Sequence, residues 1–191
     1  MIALSTQDVS LAYGTDVILK DISFAVNDGD RVGIIGVNGA GKTTTVKMLT
    51  GLSKPSAGEA FVGGYGIIGQ ADEVKRIIGV SPQETAVAPN LSVKENLELI
   101  CGIYGFSKEK TQEKIGELSA RFDLDGVLKR KAAKLSGGWQ RRLSIAMALI
   151  CEPEILFLDE PTLGLDVLAR SELWDIIRTL KGKVTIILTT H

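Results

Sequence analysis

A chain of 191 residues, 45% hydrophobic and 24% charged, has apolar material for one globular unit with a real core and room for a smaller lobe. Its formal net charge of -1 supplies no general attraction to nucleic acid or to an anionic membrane face, so neither is expected as a partner. No run approaches the roughly 20 apolar residues a membrane-crossing helix needs, which leaves any membrane role to a partner.

The opening MIALSTQDVS lacks the charged and then apolar segments of a secretory signal. IALSTQDVSLAYG and VILKDISFAV read as strands, and the Gly-Thr-Asp between them suits a hairpin loop. NDGD is a turn, and RVGIIG is a short apolar run typical of a buried strand. GVNGAGKTT follows, then TTVKMLTGL, helical in pattern and ending at Gly51. The glycine-rich KPSAGEAFVGGYGIIG predicts short antiparallel strands and turns. From ADEVKRIIGV onward the pattern changes, and residues 92–130 are expected to be mostly helical. SVKENLELICGIYG opens with Ser92 as cap and Glu95 three residues later, the spacing of a capping box, and SKEKTQEKIGELSARFDL continues as a charged amphipathic helix. Ser136 is placed to cap a helix containing LSIAMALI, apolar on nearly every face and so expected to be buried. PEILFLDE returns to a buried strand, followed by a helix, LARSELWDIIRTLK, and a last strand, KVTIILTT. Cys101 and Cys151 lie among apolar residues without CxxC spacing and read as reduced packing residues of an intracellular protein. Alternating strand and helix predict a parallel sheet with helices on its faces. Residues 1–83 and 154–191 are assigned to this core with its antiparallel part, and 84–153 to an inserted helical lobe.

Two stretches of this core carry chemistry. In GVNGAGKT, Gly36 is followed after four residues by Gly41, Lys42 and Thr43, behind a strand and opening a helix, the context of a phosphate-binding loop. Its glycines let the backbone wrap closely, so that N–H groups along Gly36, Val37, Asn38, Gly39, Ala40 and Gly41, continuing to Thr44, converge on phosphate oxygens. Lys42 adds a point charge for the outer phosphates, and the Thr43 hydroxyl suits magnesium. In ILFLDEP, two carboxylates end a strand buried on both faces, where open α/β sheets bind their ligands. Neighbouring strand residues point opposite ways. Asp159 therefore suits a magnesium shell, and Glu160 suits polarising an attacking water. Taken alone, Asp-Glu-Pro is as readily a solvated loop. Tyr13 can stack on a base or pack, Gln83 can reach a metal or be solvated, and His191 ends a strand at the same sheet edge.

Tyr13, GVNGAGKTT, Gln83, LSGGWQ, ILFLDEP, LGLD and His191 occur in the order and spacing of ATP-binding-cassette (ABC) transporter ATPases, and the resemblance covers essentially the whole chain. It implies an α/β fold with a P-loop NTPase (RecA-like) core, a mainly parallel sheet, an N-terminal antiparallel β subdomain and an inserted helical subdomain. It implies ATP and magnesium as ligands and Lys42, Glu160 and His191 as catalytic residues. Tyr13 then matches the aromatic that stacks on adenine. Gly36 to Thr43 form the Walker A loop, with Thr44 next to it among the nucleotide-binding residues, Asp159 and Glu160 end Walker B, and Gln83 is the Q-loop residue that touches magnesium and the membrane partner. His191 matches the switch histidine at the γ-phosphate, and Thr43, Gln83 and Asp159 form the metal set.

The same resemblance implies a head-to-tail pair, with a second copy or a related subunit. Ser136, Gly137 and Gly138 of the signature, with Asp166 of the D-loop, then meet the ATP held by the other protomer. Integral membrane permease subunits complete the partners, with the chain peripheral on the cytoplasmic face of the membrane. Arg141 and Arg142 begin a helix, where their charge opposes the dipole; they meet a carboxylate or a nucleotide-proximal surface, or are solvated. Trp139 stands where the family commonly has Gln, and Val167 where a proline often follows the D-loop aspartate. Members usually continue past the histidine, whereas this sequence stops there, so His191 is expected to be less firmly positioned and turnover to suffer more than binding. The helical segments look most like those of drug and sodium exporters. Two rival readings are a soluble ABC ATPase acting on ribosomes or DNA, which usually needs a second cassette or a long coiled coil, and a non-hydrolysing module, against which intact Lys42, Asp159 and Glu160 argue.

Overall fold

The computed structural model describes residues 1–191 apart from the side chain of Tyr13, so the stacking expected of Tyr13 lies outside the described residues. A long hairpin opens the chain: β1 (Ile2–Tyr13) and β2 (Asp16–Asn27) pair antiparallel. β4 (Ala57–Val62) pairs with the other side of β1, and β5 (Tyr65–Gly66) extends it, giving a sheet of order β2-β1-β4-β5. Gly58 in β4 has φ 79, and a Cβ there would fall 2.3 Å from the Asp8 carbonyl oxygen, so the pairing of β4 with β1 requires glycine at this point.

The second sheet is parallel throughout. β3 (Arg31–Ile35), β8 (Thr185–Thr190), β7 (Ile155–Leu158) and β6 (Ile78–Ser81) lie in that order. The four apolar residues of β7 are all buried, as expected of a central parallel strand. β3 departs from its prediction: it is an edge strand bonded to β8 alone among the described strands, its residues alternate between half-buried and exposed, and Ile35 is 74% exposed. An apolar run reports burial tendency and carries no information on strand order. α1 (Lys42–Leu49) follows β3, and α2 (Ala71–Ile77) precedes β6. Leu4, Val26, Leu49, Val62, Ile155, Phe157 and Ile187 belong to one buried cluster that joins the two sheets. Each such side chain contributes about 1.5–3 kcal/mol by leaving water.

The remaining elements are helices: α3 (Val93–Ile103), α4 (Lys108–Arg121), α5 (Gly137–Leu149) and α6 (Val167–Arg178). The capping box at Ser92 forms in full, and buried Asn96 satisfies the Ala88 N–H at 2.7 Å while donating to the Ala88 and Ser92 carbonyls. α5 is buried along most of its length, including Leu143, Ile145 and Ala146. The chain folds into two compact units: Met1–Gln83, Pro153–Pro161 and Lys181–His191 form one, and Glu84–Glu152 with Thr162–Leu180 the other. The boundary thus differs from the expected one, because α6 packs against α5 and brings residues 162–180 into the helical unit. Among the described residues no helix is long and apolar enough to cross a membrane. Both cysteines are free.

Candidate functional site

β3 delivers the chain into the glycine-rich loop, and the loop starts α1 without a side-chain cap. Gly41 occupies the N-cap position at φ 82, and a Cβ there would come within 3.0 Å of Leu19 and 3.1 Å of Ile18, so both conformation and space require glycine. With no cap side chain, the orphan N–H groups of the first turn are left to a ligand or water. Residues 37–44 line a cavity of 310 Å³ together with Ile18, Gln83, Glu160 and His191, all from the first unit. That volume is at the small end of ligand pockets, which span about 300–1,000 Å³.

Lys42 is buried at 7% exposure, and its ammonium is tied to its own surroundings. Nζ donates to the carbonyls of Gly36 at 2.5 Å and Val37 at 3.3 Å, and lies 3.3 Å from His191 Nδ1. It also lies 3.3 Å from Glu160 Oε1, which has His191 Nε2 at 3.4 Å on another side. Despite these ion-pair distances, Glu160 Oε1 is a buried oxygen with no hydrogen bond of good geometry. Such an atom is costly unless a ligand or water completes it. Glu160 also holds φ 47, a left-handed backbone unusual for a residue with a long side chain.

Asp159 sits one residue past β7 and is 3% exposed. Its N–H continues the parallel pairing to the Ser81 carbonyl at 3.0 Å. Its Oδ1 accepts from the Thr43 hydroxyl at 3.2 Å and from the Thr189 hydroxyl at 2.6 Å, and Thr189 Oγ1 in turn accepts the Glu160 N–H at 2.8 Å. A hydroxyl and a carboxylate so close together are hard oxygen donors that fit magnesium, and among the described residues no cluster of three or more His, Cys, Asp or Glu competes as a metal site. So few protein ligands are what magnesium takes when phosphate oxygens and water supply the rest.

The signature residues belong to the second unit. Ser136 is the N-cap of α5 in extended backbone, exposed, and its side chain makes no cap bond. Gly137 is exposed, and Gly138 is half-buried where a Cβ would approach Ala169 Cβ to 3.2 Å. Asp166 caps α6, its Oδ1 accepting the Ala169 N–H at 2.9 Å. Arg142 is not solvated: at 9% side-chain exposure it pairs with Asp123 at 3.3 Å and with Glu172, and lies 4.9 Å from the Trp139 ring centroid. Its carboxylate partners are therefore internal. Arg141 is buried as well.

The cavity thus brings together Val37, Asn38, Gly39, Ala40, Gly41, Lys42, Thr43, Thr44, Gln83, Glu160 and His191, with Asp159 bonded to Thr43. Gly36 contributes its carbonyl to Lys42. Ile18 in the cavity wall and Thr189 behind the carboxylates carry no sequence motif that announces them. Thr189 has no mark of its own in the sequence, since Thr185 and Thr190 lie in the same strand.

Residues 19–163 match the family model described as ABC transporter. The doxorubicin resistance ATP-binding protein DrrA of Mycobacterium tuberculosis is 39% identical over 193 residues, covering 99% of this chain and 58% of that protein. The Nod factor export ATP-binding protein I of Rhizobium etli is also 39% identical over 193 residues, covering 100% and 61%. The chain thus spans about three fifths of the length of these curated relatives. Among solved structures, the dimeric post-hydrolysis state of the ATP-binding cassette MJ0796 bound to ADP and Pi superposes with a TM-score of 0.86 at 29% identity, covering 98% of this chain and 88% of that one.

Proposed function

The chain belongs to the ABC transporter family, and on that premise we propose that it is the ATP-binding and hydrolysing subunit of an exporter. It works as a head-to-tail pair, with itself or a related subunit, and drives separate integral membrane permease subunits from the cytoplasmic face, without a nucleic-acid partner. The observation that carries the reading is the meeting of Lys42, Glu160 and His191 in the cavity of the phosphate loop. The names of the drug-resistance and export relatives support export.

In this reading the triphosphate of ATP enters the loop and accepts the N–H groups left uncapped at the start of α1. Lys42 exchanges the Gly36 carbonyl and the Glu160 carboxylate for the outer phosphates. Thr43, Asp159 and Gln83 would hold magnesium, which neutralises charge on the phosphate oxygens when bound. Release from Lys42 leaves Glu160 Oε1 free to accept a hydrogen bond from water, which attacks the γ-phosphorus as its proton passes to the carboxylate and the bond to the ADP oxygen breaks. His191, at the same cavity wall, steadies the γ-phosphate. The unused hydroxyl of Ser136 and the adjoining N–H groups of Gly137 and Gly138 suit the γ-phosphate of the other protomer, and a relative solved as a dimer supports this pairing.

Glu160→Gln tests the assignment. It should keep ATP binding, lower turnover by about a hundredfold or more, and accumulate an ATP-held dimer visible by light scattering. Wild-type turnover in this variant would overturn the reading.

A further inference from the structure

We propose that Thr189 is a positioning residue for hydrolysis, whose single hydroxyl sets the Asp159 carboxylate and the Glu160 backbone relative to one another. The proposal rests on the ATPase reading above.

Thr189 lies in β8, between β3 and β7, with no exposed surface. A hydroxyl buried there is unfavourable unless its bonds are made, and both kinds are made. It donates to Asp159 Oδ1 at 2.6 Å and accepts the Glu160 N–H at 2.8 Å. A hydroxyl has one hydrogen. With that hydrogen committed to Asp159, the oxygen can only accept from Glu160, so the direction of both bonds is fixed.

Main-chain pairing explains why a side chain is needed at this point. The register of β7 against β8 ends at Leu158 opposite Leu188. Asp159 still reaches back to the Ser81 carbonyl, but Glu160 turns to φ 47 and leaves the ladder. Its buried N–H is taken up by the Thr189 hydroxyl where a strand carbonyl would otherwise serve. The same hydroxyl thus holds the residue beside Thr43 and the residue beside Lys42. An error at Thr189 would reach both carboxylates without touching the cavity wall.

Thr185 supplies the internal control. It lies on the same strand at 3% exposure, and its hydroxyl accepts the Gly29 N–H at 2.9 Å at the opposite end of the sheet. Both threonines accept a backbone N–H, that of Gly29 partly buried and that of Glu160 buried, but of the two only Thr189 also bonds a carboxylate of the site.

The test compares Thr189→Val, Thr189→Ser and Thr185→Val in the full chain, measuring steady-state ATP hydrolysis, thermal stability, and binding of a non-hydrolysable ATP analogue by calorimetry. Thr189→Val should lower kcat by about ten- to a hundredfold, the scale of an ångström-level misplacement, with KM and analogue affinity within about twofold of wild type. Thr189→Ser should restore most of the rate. Thr185→Val should lose stability and keep kcat. If Thr189→Val fails to fold, Thr189→Ala adds no bulk and carries the same comparison. Equal kcat losses in the Thr185 and Thr189 variants would overturn the proposal, as would an unchanged kcat at position 189. A wild-type chain that binds the analogue but turns over no ATP would overturn the ATPase reading itself, and the positioning role with it.

Discussion

Ser92 and Ser136 stand at the N-caps of α3 and α5 with nearly the same backbone, φ -67, ψ 167 and φ -65, ψ 162. Ser92 accepts the Glu95 N–H at 3.2 Å, and the Glu95 carboxylate accepts the Ser92 N–H at 2.7 Å. Ser136 caps nothing with its side chain. One contrast lies three residues on. Position 95 is a glutamate that reaches back, whereas position 139 is a tryptophan whose ring lies beside Arg142. A glutamate there is not required for closure, since Ser107 caps α4 in the same conformation by accepting the Lys110 N–H at 3.2 Å; the open hydroxyl is particular to Ser136. With no side-chain cap, the start of α5 leaves donors for a ligand, as the start of α1 does behind the left-handed Gly41.

The strongest way to break this comparison is Ser136→Arg. ATPase activity should fall by about a hundredfold or more, the loss seen when a donor to a reacting oxyanion is removed, along with ATP-dependent dimerisation. Nucleotide binding by the isolated chain should be unchanged in calorimetry. Loss of that binding instead would mean that Ser136 serves its own protomer's nucleotide.

Lys42→Ala examines the other uncapped start and should have the next largest effect. Charge-assisted bonds of this kind contribute about 1.5–3 kcal/mol, so ATP affinity should drop by about ten- to a hundredfold while the fold survives. Unchanged affinity by calorimetry would contradict a phosphate role for the loop.

The capped start should respond in the opposite sense, with a change in stability and none in chemistry. Ser92→Ala is expected to destabilise the protein by about 1 kcal/mol and to leave ATP turnover intact. Acid should remove a related contribution. Hydrogen bonds from the Ser92 backbone and side chain lower the Glu95 carboxyl from its ordinary 4.5. A carboxylate with a lowered folded-state value stabilises above the unfolded value and loses that effect as pH falls through the folded one. The melting-temperature gap between wild type and Glu95→Ala should therefore be full at neutral pH and narrow progressively as pH falls below about 4.5. A gap that does not narrow at all as the pH is lowered below about 4.5 would show that the glutamate acts by something other than its charge.

Ser92 was legible in the sequence because both of its partners lie within one helical turn. The phosphate loop was legible for the same reason: its glycines, Lys42 and Thr43 are contiguous, and the strand and helix around them have clear patterns. β7 showed its burial as four apolar residues in succession. What escaped depends on strand order and on pairings distant in sequence. RVGIIG carries nothing that marks an edge strand, and the pairing of α6 with α5 follows from packing that local periodicity does not encode. The sequence does not choose among a carboxylate, a nucleotide surface and solvent for Arg142, because Asp123 and Glu172 are far from it along the chain. Thr189 joins Asp159 and Glu160 only because β8 lies beside β7.

The left-handed backbone at Glu160 sets heat tolerance against turnover at one position. Glycine adopts φ near 47 without steric conflict, whereas a glutamate is kept there by its surroundings at about 1–3 kcal/mol. A mutant library screened for survival on heating with nucleotide bound should enrich glycine at 160, since the change relaxes the backbone while Lys42, turned to the phosphates, is not left as an unpaired buried charge. The same library screened for phosphate release should retain glutamate. Directed evolution of a hardier variant would therefore have to hold position 160 fixed and find its gains elsewhere in the fold.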